Sequence, residues 1–392
     1  MEPVQLAAIL AVAVVVASML SVELGIAVAL FELGLGVVAG NVFDLQSQEW
    51  LDFIAAFASI VLTFLAGLEV DPGDFRQRFG ASVSIGLVSF IGPFVVGSLV
   101  AFFALDWTLK ASLIAGTALS TTSLAVIYAV LVEDGLNETQ LGKLLMSATF
   151  GTDLGTAIAL SAIFIEPNAW FPVFLVGSVA LVIVLPRAAP WFFRRYGDRV
   201  IEPEIKLVFV CLFGLMVLAD ASNGHAVLPA FVLGLAMSRH FAQHRTEQER
   251  IRVVAFAFLT PFFFMRGGLN VSLGAVFANF GILAVLLAAK MVPKLGLVLP
   301  LARRHMPRHA TFATLLMSTG LTFGTISALF GLGAGIIDKT QFSLLITVVV
   351  ASALIPTAIA QTFFHPIADL ERHKRPIPPE EYVLARQLAS AA

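Results

Sequence analysis

Asp153 sits in the middle of the apolar stretch MSATFGTDLGTAIALS (Met146–Ser161). It is the only acidic residue inside the apolar spans between Gly80 and Ile165. An ionised carboxylate at bilayer depth costs roughly 3 kcal/mol or more and persists where it has a partner or a task. The task such a residue type suits is binding a cation or a proton. Gly151, Thr152 and Gly155 flank it, and small neighbours let a second backbone or a hydrated ion come close. The plainer alternative is a structural Asp paired with a basic residue of another helix.

Two lysines offer that partner. Lys290 and Lys294 lie in AAKMVPKLGLVLP with Pro293 between them, and a spacing of four puts both on one helix face. A buried ammonium needs a carboxylate or carbonyl oxygens. Either lysine could pair with Asp153 when no ion is bound, so that a cation displaces the ammonium and protonation releases the cation. Snorkelling to an interface is the alternative for a lysine viewed alone. Two further stretches, STTSLA (Ser120–Ala125) and STGLTFG (Ser318–Gly324), interrupt apolar runs with hydroxyl residues. Broken helices of this kind expose N–H and C=O groups to an ion, which nominates Thr121, Thr122, Ser123 and Thr319 beside Thr152. Ser and Thr also bond back to the preceding turn in unbroken spans.

The remaining charges read as structural or gating. Arg266 follows LTPFFFM near a span end; its guanidinium stays charged, so it pairs or reaches an interface. Glu69 stands at the end of a span, whereas Glu32 lies deeper and suits a buried base. The single Cys211 supports neither a disulfide nor a thiolate site, and the seven His residues show no metal-binding spacing.

The elements that must position these residues are membrane helices. The chain has 392 residues, 58% hydrophobic and 13% charged, against about 25% charged in soluble domains. It reads as an all-α polytopic membrane protein. At about 20 apolar residues per span, about thirteen helices are predicted. They lie near Val4–Leu20, Val22–Gly40, Leu51–Leu68, Gly80–Leu105, Thr108–Val132, Leu141–Ile165 and Trp170–Leu185. The rest are Lys206–Ala221, Ala226–His240, Val253–Gly268, Leu273–Ala302, Ala310–Gly331 and Phe342–Phe364. The N-terminal apolar run reads as a first span rather than a cleaved signal. Alternate loops collect the basic residues, among them Arg76, Arg78, Lys143, Arg187, Arg194, Arg195, Arg303, Arg304 and Arg308. The tail adds Arg372, Lys374, Arg375 and Arg386. By the positive-inside pattern, the N-terminus is outside and the C-terminus cytoplasmic, in a cell (inner) membrane. Residues 366–392 read as a short polar cytoplasmic tail.

The ordered set LFELGLGVVAGN (Leu30–Asn41), FLAGLEVD (Phe64–Asp71), GTALSTTSLAVIYAVLVEDG (Gly116–Gly135), GTDLG (Gly151–Gly155), PFFFMRGGLNVSL (Pro261–Leu273) and KMVPKLGLVL (Lys290–Leu299) resembles the monovalent cation:proton antiporter (CPA) superfamily. The likeness covers residues 1–365 and is strongest to the second branch. It implies a sodium/proton antiporter-type fold with inverted repeats and two crossed broken helices. It also implies a homodimer, a scaffold (about 1–70 and 204–270) and a mobile core (about 80–165 and 273–365) moving as an elevator. The family's ion-binding Asp falls on Asp153 and its eleventh-span basic residue on Lys294. Two departures stand out. Electrogenic relatives carry Asp-Asp and many electroneutral ones Asn-Asp where this chain has Thr152-Asp153. The twelfth span has Ser318-Thr319-Gly320-Leu321 where many relatives carry charge, and Arg266 could supply the missing cation.

The expected function is therefore exchange of H+ for Na+ or K+, with one carboxylate suggesting 1:1 electroneutral stoichiometry. No cofactor and no nucleic acid enter; the ligands are the transported ions and the bilayer is the solvent. A channel-like or ligand-gated potassium efflux protein is the alternative, although no TVGYG-like filter is present. A membrane enzyme lacks support, because no GxSxG elbow, His cluster or paired carboxylates sit in the spans.

Overall fold

The computed structural model describes residues 2–366 apart from 71–78, 135, 137, 138, 166, 198 and 244. Arg76, Arg78 and the tail beyond Pro366, with its Arg372, Lys374, Arg375 and Arg386, lie outside the described residues. The described elements are all helical. Among the described residues, ten helices are long and apolar enough to cross a membrane, and two shorter apolar ones, Val28–Val42 and Val227–Gln243, join them. Burying apolar side chains against lipid and one another while closing every backbone bond within the helix is what a bilayer demands.

Several helices outrun the apolar runs that predict them. The seventh predicted span continues as Phe171–Tyr196, through Pro186 and Pro190, to Arg194 and Arg195 in its last turn. Membrane helices tolerate interior Pro, and the two arginines offset the negative C-terminal end of the helix. The tenth begins earlier, in the polar turn Arg245–Val254, and passes through a π-helical turn at Ala255–Leu259 into Thr260–Leu269. The eleventh is not one helix. A short turn, Leu273–Ala278, precedes Phe280–Pro293, a π-helical turn Lys294–Val298, and Leu299–His305.

The chain forms two compact units. The first draws on the described residues within 1–72 and 157–270. Its helices meet at glycines: a Cβ on Gly67 would strike the backbone of Phe231, and one on Gly234 the backbone of Phe64. The two helices Glu49–Leu68 and Val227–Gln243 thus approach at backbone distance, where only glycine fits. Phe57 stacks on Phe213 at 4.0 Å between ring centres. The second unit draws on residues within 73–156 and 271–392. Its core packs Ile85, Ile127, Leu131, Leu145, Phe312 and Leu316 among others, and it contains both broken helices.

Candidate ion site at the helix breaks

The fifth predicted span is two half-helices, Leu109–Ser120 and Leu124–Glu133. The twelfth is likewise Ala310–Met317 and Thr322–Gly333. The hydroxyl residues at each break spend their hydrogens locally. Ser120 Oγ donates to Thr117 O (2.8 Å), Thr121 Oγ1 to Ala118 O (3.0 Å), Ser318 Oγ to Thr314 O (2.8 Å) and Thr319 Oγ1 to Leu316 O (2.7 Å). Such bonds compete with continuing the helix. Ser123 Oγ accepts from Val126 N–H at 3.4 Å, so it starts the next half-helix as an N-cap does.

The breaks leave carbonyls at two half-helix C-terminal ends, and one lysine takes both. Lys294 Nζ donates to Thr121 O (3.0 Å), Met317 O (2.8 Å) and Thr122 Oγ1 (2.8 Å). Thr122 Oγ1 in turn donates to Met317 O at 3.0 Å, tying the breaks together directly. An ammonium carries three donors and no acceptor; here three oxygens meet it. The negative ends of two helix dipoles favour a cation at that point. Lys290 Nζ reaches only Thr121 O, at 3.4 Å. Both lysine side chains are fully buried. Pro293, which cannot donate to the helix ladder, precedes the π-helical turn that starts at Lys294. Gly320 completes the crossing, since a Cβ there would press on Lys290 Nζ and lie 2.8 Å from Thr121 Oγ1.

Asp153, on the helix Gln140–Ile163, is 2% exposed. This helix packs on Phe79–Leu99 through glycine: a Cβ on Gly86 would lie 2.6 Å from Ala148 O and 3.1 Å from Gly151 Cα. Gly155 faces the ring of Phe90. Thr152 Oγ1 donates to Thr149 O at 2.7 Å, which leaves its oxygen lone pairs as acceptors for a cation. Among the described residues no group of three His, Cys, Asp or Glu side chains forms a polydentate metal site. The oxygen donors of this unit are one carboxylate with hydroxyl and carbonyl groups, a set that suits a hard cation rather than a zinc-like one.

Asp153, Thr152, Thr121, Thr122, Ser123, Thr319, Lys290 and Lys294 all belong to the second unit. Arg266, Glu69 and Glu32 belong to the first. Arg266 pairs there with Asp52, which also accepts from Ser47 Oγ, so the guanidinium is engaged at the first turn of the Glu49–Leu68 helix. Glu69 meets Arg252 at 3.4 Å; burial pushes its carboxyl above the usual value and Arg252 pulls it back. Glu32 is buried within Val28–Val42. The features that sequence reasoning missed are Met317 O, the π-helical turn at Lys294 and the Asp52 partner. A backbone carbonyl carries no residue letter, and of the three only Pro293 beside Lys294 left a trace.

The fold is that of a polytopic membrane protein. Residues 8–365 match the family described as "Sodium/hydrogen exchanger, transmembrane", and the chain belongs to that family. It is similar to the probable Na(+)/H(+) antiporter 3 of Methanocaldococcus jannaschii, 26% identical over 82% of this chain and 85% of that protein. It is also similar to the putative Na(+)/H(+) antiporter YjbQ of Bacillus subtilis, at 23% identity. Cation/H(+) antiporter 18 of Arabidopsis thaliana is 25% identical. The chain spans 61% and 43% of those two longer proteins. Its fold is similar to that of the sodium proton antiporter MjNhaP1 of Methanocaldococcus jannaschii, with a TM-score of 0.69 over 96% of this chain and 100% of that one, at 13% identity.

Proposed function

We propose that this protein exchanges H+ for a monovalent cation, Na+ or K+, at Asp153. The observation that carries the reading is one buried carboxylate in the same unit as two half-helix ends gathered on one lysine. Ionised, Asp153 holds the cation with oxygens drawn from Thr152, Thr121, Thr122, Ser123 and Thr319; protonated, it lets the cation go. Lys294 has its three donors engaged, so it balances Asp153 through its field while clamping the crossing. Lys290 is the reserve cation beside it.

A single titratable carboxylate carries one Na+ or K+ or one H+, which gives 1:1 electroneutral exchange. The unit holding the breaks is the moving core and the other the scaffold of a homodimer, with the two breaks related as inverted repeats and an elevator motion exposing Asp153 to each side in turn. The N-terminus lies outside, as the basic loops favour. The similar proteins include a Na(+)/H(+) antiporter and a cation/H(+) antiporter, which supports both a sodium and a broader cation specificity.

Acidified everted vesicles provide the test. Adding Na+, K+ or Li+ should collapse the pH gradient with the parent protein and leave it intact with Asp153→Asn. Equal activity in Asp153→Asn ends the reading. Potassium leaking down its gradient without proton movement would favour a channel-like efflux protein instead. Uphill cation movement driven by membrane potential alone would exclude the 1:1 stoichiometry.

A further inference from the structure

At the far end of the half-helix Ala310–Met317 lies a cavity of about 200 Å³ that the exchange reaction does not use. Arg303, Arg308, His309 and His365 line it, together with Ala310, Thr311 and Phe312. Two arginines, both exposed at the cavity's rim, and two histidines are the titratable groups of the lining. Arg303 and Arg308 find no acidic partner among the described residues. His365 is held in place by Asp134 at 2.8 Å.

The floor adds a second kind of donor. Ala310, Thr311 and Phe312 form the first turn of Ala310–Met317, and no side chain caps its start at His309. The opening N–H groups of a helix have no partner within it, and with the helix dipole they favour an anion. Arginine guanidinium groups recognise phosphate in two-pronged fashion, where a lysine offers only a point charge. Two arginines, a histidine pair and an uncapped helix start around one hollow therefore describe a phosphate seat.

We infer that this cavity binds a phosphomonoester group, carried by a membrane lipid headgroup or by a soluble phosphate. Its volume is below the ~300–1,000 Å³ of pockets that enclose drug-sized ligands. The seat therefore takes the phosphate alone and leaves the rest of the ligand outside. Basic pockets at the ends of membrane helices hold lipid headgroups by the same chemistry. Occupancy would bear on the ion site through one element. The eight residues of Ala310–Met317 span about 12 Å, with the anion at one end and the Lys294 ammonium on Met317 O at the other. Both charges stabilise the same half-helix dipole.

The experiment measures binding on the full chain and does not depend on transport. Purified protein in nanodiscs of phosphatidylcholine is compared with nanodiscs containing dioleoyl phosphatidic acid, and separately titrated with inorganic phosphate, using the shift of the thermal unfolding midpoint as readout. The midpoint should rise in the phosphatidic acid arm, in the phosphate arm, or in both, which names the source. Arg303→Gln/Arg308→Gln should weaken the apparent affinity about tenfold or more, since two charge-assisted hydrogen bonds are lost. Arg304→Gln, an exposed neighbour that does not line the cavity, should leave it unchanged. No midpoint shift in either arm overturns the site. So does equal weakening by Arg304→Gln, which would reduce the effect to general surface charge.

Discussion

Lys294→Met tests the clamp at the helix crossing most directly. Methionine keeps the length and apolar bulk of the lysine stem and deletes only the donors. Three acceptors then lose a partner: Thr121 O, Met317 O and Thr122 Oγ1. Their losses differ. Met317 O keeps the Thr122 hydroxyl at 3.0 Å and a long contact from Ser89 Oγ at 3.5 Å. Thr121 O keeps only the long contact from Lys290 at 3.4 Å. Counting one nearly orphaned carbonyl and two weakened acceptors, at about 1–3 kcal/mol for the orphan and less for the others, gives about 3 kcal/mol. At about 2 °C per kcal/mol for a large domain, the thermal midpoint should fall by about 6 °C. Lys290→Met deletes one 3.4 Å contact and should cost about 1 kcal/mol or less, about 2 °C. The assay is the unfolding midpoint of both variants in one detergent, read by intrinsic tryptophan fluorescence. A Lys290→Met midpoint as low as that of Lys294→Met would refute the clamp, because the lysines would then share the load.

Three other outcomes follow from the geometry. Arg266→Gln and Asp52→Asn should each cost about 1 kcal/mol, and the double variant no more than either alone, as a half-exposed pair in one unit requires; additive losses in a double-mutant cycle would show the pair is idle. Gly67→Ala or Gly234→Ala should abolish the monodisperse folded peak in size-exclusion chromatography, because each new methyl meets backbone that cannot yield, and a normal peak from either would mean the helices sit further apart. For His225, outside the spans, burial lowers the pKa against the opposing bond to Phe164 O. The unfolded chain then takes up its proton first, so stability falls as pH drops through about 6.5; between pH 8 and pH 5.5 the parent midpoint should drop further than that of His225→Gln, and equal drops would remove His225 from the acid response.

Legibility followed the kind of atom involved. Asp153 and the two breaks were readable because a charge or a run of hydroxyls is conspicuous in an apolar helix. Lys290 and Lys294 were equivalent on a helix face; what separates them is the reach of each nitrogen toward carbonyls of residues 121 and 317, which no side-chain spacing encodes. Helix ends were misjudged where polarity and helicity part company. Phe171–Tyr196 runs beyond its apolar section, and Arg245–Val254 is helical though polar, because the backbone closes its bonds whatever lies outside. Arg266 was readable as a charge needing company, but Asp52, 214 positions away in sequence, could be matched to it only in three dimensions.

The π-helical turn at Lys294–Val298 has a further consequence for how that helix is read. Each wide turn absorbs about one extra residue, and one residue is about 100° of rotation. Phe280–Pro293 and Leu299–His305 are therefore two rulers on one axis, out of phase with each other. A helical wheel drawn from the first and carried into the second assigns Arg303 and Arg304 to the wrong faces. Deleting one residue between 295 and 298 would bring the rulers into phase and swing the arginine end around the axis, while Lys294 stayed in its original frame. The extra residue thus sets the face on which the arginines emerge independently of the face on which Lys294 meets its carbonyls.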